Sequence, residues 1–205
     1  RIYITDTEVN HLAHSLATPT DIIIPTHFID SLAGPLMKKK SKFHRINGLH
    51  GHVHLHPHMR PSSISNPPKV LIRRLLGDGI HDSDEILSIP SDWLEGLDLS
   101  YADENEITEN PWELTTKISQ MDGVLTQSVT LASEAVLLGV PTLLVSKARR
   151  GFLDRLVDEG HPLFIAKEID ESILAAWLAG LHLTDALEEP NWPDTKSELI
   201  DLIKD

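Results

Sequence analysis

Asp122-Gly-Val-Leu-Thr-Gln-Ser-Val-Thr-Leu-Ala-Ser-Glu-Ala-Val-Leu-Leu-Gly-Val-Pro-Thr-Leu-Leu-Val145 reads as strand, turn, helix, turn and strand. The apolar run from Gly123 to Thr126 is too short for a helix and suits a buried strand. A small polar turn follows, and a helix begins near Thr130, spanning Leu131 to Leu138. Gly139 and then Pro141 end it in the order in which helices usually stop. Thr142 to Val145 is the next apolar run. Two buried strands joined by a helix form a βαβ unit, the element of a parallel sheet.

The same alternation extends in both directions. Lys69 to Leu75 and Glu85 to Ile89 have the composition of strands, and Trp112 to Gln120 that of a helix. Beyond Val145, helix Phe152 to Glu159 leads to strand Leu163-Phe-Ile165. Helix Glu171 to Gly180 and an amphipathic helix Thr195 to Lys204 follow. Upstream, Arg60-Pro-Ser-Ser-Ile-Ser-Asn-Pro-Pro68 cannot continue a helix or feed a sheet and reads as a linker. Before it, Arg1 to Thr5 reads as a strand end, Asp6 to Ala17 as a helix capped by Asp6 or Thr7, and Asp21 to Pro25 as a buried strand. Lys38 to Lys42 is basic and reads as solvated. The pattern predicts an α/β fold with a Rossmann-like parallel sheet. Residues 69–205 form its C-terminal domain, 61–68 the linker, and 1–60 the end of an earlier domain. Arg1 runs directly into Ile2-Tyr-Ile4, from which we expect sequence to be missing upstream. Only nine residues separate Leu75 from Glu85, too few for a parallel crossover. Either these strands are not parallel neighbours or residues are missing between them.

In open α/β sheets ligands collect at the carboxyl ends of strands, where a helix N-terminus offers N–H groups to phosphate. Ser128 and Thr130 add hydroxyl donors at that point, and Glu134, about a turn further on, suits the two hydroxyls of a ribose. The same residues also make an ordinary cap and a dipole-favoured acid. Lys147, Arg149 and Arg150 follow the strand ending at Val145 and suit either a diphosphate or a solvated loop. Arg73, in an otherwise apolar strand, suits a cleft or an anion. His81 and Asp82 have the chemistry of an acid–base pair, or of a loop brace.

The central stretch resembles the donor-binding loop and helix of GT-B proteins, notably UDP-N-acetylglucosamine 2-epimerase and the bacterial glycosyltransferase that makes lipid II. Glu134, Ala135, Leu138, Gly139 and Pro141 match the family's Glu-Ala…Leu-Gly-x-Pro pattern. The resemblance implies that the turn meets a diphosphate and that Glu134 grips a ribose. Those proteins usually carry one or two glycines where this chain has Gln127-Ser128-Val129. A second resemblance covers most of the chain. Asp6-Thr7-Glu8, Asp21-Ile-Ile-Ile-Pro25, Asn47-Gly48-Leu49-His50, His56-Pro57, Ile72-Arg73 and His81-Asp82 fall in the order of a prokaryotic, archaeal-type group, domain of unknown function family 354. That group is itself GT-B-like. Against it, this chain lacks most of an N-terminal Rossmann domain and a helix after Asp82.

Histidines at 50, 52, 54, 56 and 58 recur at period two, which in an extended chain places all five on one side. Imidazoles can hold zinc or nickel. No acidic or cysteine residue lies nearby in sequence to support them, so no native metal is expected and the segment reads as a cleft lining.

The net charge of −13 argues against nucleic acid or an anionic membrane surface as partner. It also suits a salty cell interior, although a well-solvated acidic surface is the commoner explanation. The chain has no cysteine, which excludes disulfides and thiolate sites. No apolar run reaches the roughly 18 residues of a membrane span, and the sequence reads as cytoplasmic. With no Gly-x-Gly-x-x-Gly after a strand, no Walker loop and no Gly-x-Ser-x-Gly elbow, it offers no NAD, ATP or serine-hydrolase signature, and no cofactor is expected. These readings imply glycosyl transfer from, or epimerisation of, a nucleoside-diphosphate sugar, with uridine the expected base. Its rivals are a non-catalytic binding module, favoured by the missing glycines, and a metal-binding protein.

Overall fold

The computed structural model describes residues 1–48, 50–56, 63–74, 87–102, 112–181 and 192–204. The chain divides into two compact units. The first comprises Arg1–His56, Arg149–Arg155 and Asn191–Asp205; the second comprises Pro57–Ala148 and Leu156–Pro190.

The first unit holds a parallel sheet in the order β1 (Ile2–Ile4), β2 (Asp21–Pro25), β3 (Lys42–Ile46). The central strand β2 supplies Ile22 and Ile24, which pack with Phe28, Ala33 and Leu36. The first helix, α1 (His11–Leu16), is shorter than expected and capped by Asn10, whose side chain accepts from the Ala13 N–H at 3.4 Å. Asp6, Thr7 and Glu8 do not start it, because Asp6 and Glu8 are engaged elsewhere. Glu8 is fully buried, and its Oε1 accepts from the backbone N–H of Ile29 at 3.1 Å and of Gly151 at 2.9 Å. The Lys38–Lys42 segment is only partly solvated. Lys39 Nζ donates to the carbonyls of Ser15 and Ala17, both at 2.8 Å, closing the C-terminus of α1. Lys42 opens β3, a strand that the sequence did not announce.

The period-two reading of the histidines is corrected. Gly51–His54 is a helical turn, α2, so His50 and His54 stand one turn apart on the same side. The last helix of the chain, Thr195–Lys204, closes on the same unit. Its Thr195 Oγ1 donates to the Asn47 carbonyl at 2.7 Å, and Glu198 accepts from the Asn47 N–H at 2.9 Å.

The second unit is a Rossmann-like α/β domain. Its strands are β4 (Lys69–Arg73), β5 (Asp98–Tyr101), β6 (Gly123–Thr126), β7 (Thr142–Val145) and β8 (Leu163–Ala166), all parallel, in the order β5-β4-β6-β7-β8. The helices expected here are α3 (Trp112–Ser119), α4 (Val129–Leu137) and α6 (Glu171–Gly180); the expected helix α5 (Gly151–Asp158) has its residues up to Arg155 in the first unit, and the C-terminal helix becomes α7. Val70, Ile72, Leu125, Leu143 and Val145 face α6, which covers them with Leu174, Trp177 and Leu181. The alternate residues Leu71, Val124 and Leu144 point to the other face, and α4 packs against β6 and β7.

One strand is corrected. Leu87 to Ile89 has no strand structure, and Glu85 lies outside the described residues. Leu87 is buried, but its N–H donates to the side chain of Gln127 at 2.9 Å instead of joining a ladder. The parallel neighbour of β4 is β5, far enough along the chain for a crossover. The interruption expected between Asp78 and Glu85 lies outside the described residues.

Candidate functional site at the carboxyl edge of the five-stranded sheet

Counted within the unit, the strand order is 2-1-3-4-5. The chain leaves β4 toward one side to make β5 and returns to the other side to make β6. Connections that diverge from two adjacent strands open a crevice at their carboxyl ends, the usual ligand position in open parallel sheets. Arg73 is the last residue of β4, and its register partner is Thr126, the last residue of β6. The sheet therefore sets Arg73 beside the turn that leads into α4.

That turn is built without glycine. Gln127 N–H donates to the Arg73 carbonyl at 3.2 Å, and Ser128 N–H donates to Thr126 Oγ1 at 2.9 Å. Among the described residues no non-glycine has a positive φ, so the turn does not require one. Gln127 is 3% exposed, and its Oε1 holds the Leu87 N–H. A buried side chain thus ties the incoming loop to the end of β6. Sequence reading treated Gln127 only as a missing glycine; its burial depends on a partner 40 residues away.

Ser128 caps α4 in an extended conformation, its Oγ accepting from the Leu131 N–H at 3.4 Å. This is a long bond. Thr130 is exposed and Glu134 half-buried. Four residues apart, they share a helix face, while Leu131, Ala132, Ala135 and Val136 are buried. Glu134 stands in the second turn, roughly 9 Å along the axis from the cap, further than one turn. At the far end of the strands, Asp122 Oδ2 accepts from the N–H of Ser65 at 3.2 Å and of Lys69 at 2.8 Å. The end of the linker is thereby fastened to β6, a structural role that the sequence did not reveal.

The basic residues after β7 divide. Lys147 lies in the second unit and pairs with Glu168 at 3.7 Å. Arg149 and Arg150 belong to the first unit. Arg149 is exposed and pairs with Asp154 at 3.7 Å. Arg150 is half-buried and donates to the Arg149 carbonyl at 2.9 Å. Burial lowers the pKa of its guanidinium, against the opposing charges of Glu8 and Asp6. His81 and Asp82, the acid–base pair read from sequence, lie outside the described residues, as does His58.

The first unit carries a second polar cluster at the carboxyl end of β1. Asp6 Oδ2 and His50 Nδ1 are 3.1 Å apart. Burial opposes ionisation of Asp6, but the hydrogen bond and charge of His50 hold its carboxyl below the ordinary range. The His50 and His54 rings stack with centroids 5.1 Å apart, and His52 meets Trp192 edge-on at 5.0 Å.

No family model matches the chain, and no curated protein matches it.

Proposed function

We propose that the second unit binds a nucleoside-diphosphate sugar, with uridine as the expected base, and that the protein is a glycosyltransferase or sugar-nucleotide 2-epimerase of GT-B type. The observation that carries this reading is the β4–β6 switch point, where Arg73 and the Thr126–Thr130 turn meet at the carboxyl edge. In this reading the diphosphate lies at the start of α4, against the N–H groups, Ser128 and Thr130. Charge developing on a leaving diphosphate is stabilised there by fixed donors and the helix dipole. Arg73 adds a planar fork suited to phosphate oxygens. Glu134 accepts from the ribose hydroxyls. His81, with Asp82, is proposed as the proton-transfer group.

A non-catalytic ligand-binding module is the second reading. Gln127 favours it, because its buried side chain occupies the turn where a glycine would let the backbone approach a diphosphate closely.

Thermal shift with UDP-N-acetylglucosamine, UDP, ATP and NAD tests binding. The uridine ligands should raise the unfolding midpoint, since a ligand at about 100 times its dissociation constant adds roughly 2.7 kcal/mol. Arg73→Ala and Glu134→Ala should each reduce that shift. No shift with any uridine ligand, or a shift indifferent to both substitutions, would sink the site. Proton NMR of the incubated sugar separates the two readings: C2 epimerisation or UDP release marks an enzyme, an unchanged sugar the module.

A further inference from the structure

We propose that His14 is a proton-operated latch on α1: neutral, it holds the helix on the three-stranded sheet of the first unit, and protonated, it releases the helix while the sheet stays folded. A helix of six residues has no stability of its own, so α1 persists only through its packing. His14 is the one residue of α1 that is buried. Leu12 and Leu16, the apolar residues that would ordinarily anchor such a helix, are 67% and 72% exposed. The remaining ties are polar: Lys39 Nζ donates to the carbonyls of Ser15 and Ala17, and His11 Nε2 meets the Leu32 carbonyl at 2.9 Å. The cap is weak as well, since the Asn10 side chain reaches the Ala13 N–H only at 3.4 Å. Anchorage of the helix by burial therefore falls on a titratable side chain.

The surroundings of that side chain suit imidazole and not imidazolium. The ring is fully buried, and Tyr3 of β1 meets it edge-on at 6.0 Å. Neither ring nitrogen has a hydrogen-bond partner, which costs a neutral ring far less than a charged one. The groups that face the ring do not neutralise a charge on it. Tyr3 is a neutral phenol, held so by its burial. His11, on the same helix, and Lys39, after the turn Leu36–Lys38, bring positive charge. The carbonyls of Thr7 and Ala33 favour the charged ring but do not reach bonding geometry. Once α1 is released, the ring is hydrated and titrates near about pH 6.5. The open state then binds the proton that the closed state refuses, so opening grows as pH falls. Between pH 7.5 and pH 5.5 this linkage raises the open fraction about tenfold. Release uncovers Tyr3 and, behind it, the apolar cluster of Ile22 and Ile24.

The test is amide hydrogen exchange of the full chain, followed by NMR at pH 7.5 and pH 5.5 and corrected for the intrinsic effect of pH on exchange. The amides of His14 and Ala17, bonded to the carbonyls of Asn10 and Ala13 at 2.9 Å, report on α1. They should exchange through a local opening that low urea does not promote, whereas Ile22 to Ile24 of β2 should exchange only through urea-sensitive unfolding. Protection of the two α1 amides should fall about tenfold between the two pH values. His14→Phe and His14→Leu keep an apolar anchor without a proton, and each should hold that protection nearly constant. His11→Gln changes an exposed side chain and should keep the fall. Protection in α1 equal to that in β2 at both pH values would mean that the helix has no opening of its own. A fall that persists in both His14 variants, or that disappears in His11→Gln, would place the proton elsewhere. Any of these results overturns the latch.

Discussion

At the scale of single residues, the polar groups that matter most are those whose partners are distant in sequence. Glu8 reaches an N–H 143 residues away, and Gln127 one 40 residues away. Read locally, Glu8 was only one member of the Asp6-Thr7-Glu8 match and Gln127 a departure from a glycine pattern. Only burial reveals that each satisfies backbone donors that would otherwise cost about 1–3 kcal/mol apiece. His14 is a third case, fully buried on α1 with Tyr3 edge-on at 6.0 Å. Burial, then the nearby charges of His11 and Lys39, lower its pKa. In the unfolded chain it takes a proton near about pH 6.5. Below that pH the unfolded state binds more protons than the native one, so stability is lost as pH falls toward the depressed native value. We expect urea stability to drop between pH 7.5 and pH 5.5, and to drop less in His14→Phe. Equal losses in the two proteins would show that His14 does not contribute.

At the scale of elements, legibility followed the presence of a short apolar run. The interior strands β2, β4, β6 and β7 are apolar on both faces and could be read from short runs of Ile, Leu and Val. β3 and β5 sit at sheet edges and are largely half-exposed or exposed, so Lys42-Phe-His-Arg-Ile46 and Asp98-Leu-Ser-Tyr101 carry no such run. The end of α4 was legible because its chemistry is local. Gly139 has φ +77°, its N–H donates to the Val136 carbonyl at 3.0 Å, and that of Val140 donates to the Ala135 carbonyl at 2.9 Å. These are the paired bonds of a left-handed helix stop. Gly139→Ala should therefore lower stability by about 1–2 kcal/mol, the cost of a side chain in that conformation. Urea unfolding with an unchanged slope checks it; a neutral substitution would show that the stop does not require glycine. The histidine segment shows the converse. Period two predicted an extended chain, but Gly51–His54 turns helically, and an expected row of imidazoles became one stacked pair.

At the scale of the whole molecule, charge is the dominant feature. Net charge is −13, and the exposed pairs Lys147–Glu168 and Arg149–Asp154, at 3.7 Å, offset little of the repulsion. Raising salt from 0.1 to 1 M shortens the screening length from about 10 Å to about 3 Å. The unfolding midpoint should rise by a few degrees over that range at neutral pH; a fall would mean that ion pairs outweigh repulsion. Among the described residues no helix is long and apolar enough to cross a membrane. By itself the sequence determined the α/β class, the helix–strand alternation from β6 to α6 and the strand–turn–helix bearing Ser128 and Glu134. Each follows from periodicity, run length or a local stop signal within a few residues. Tertiary structure alone decided the strand order, and with it the placing of Arg73 beside the α4 turn. It also decided that Arg149–Arg155 and Asn191–Asp205 join the unit built on Arg1–His56, and that Asp6 pairs with His50. These depend on which distant segments bury one another, and burial is a property of the assembled fold that no local pattern carries.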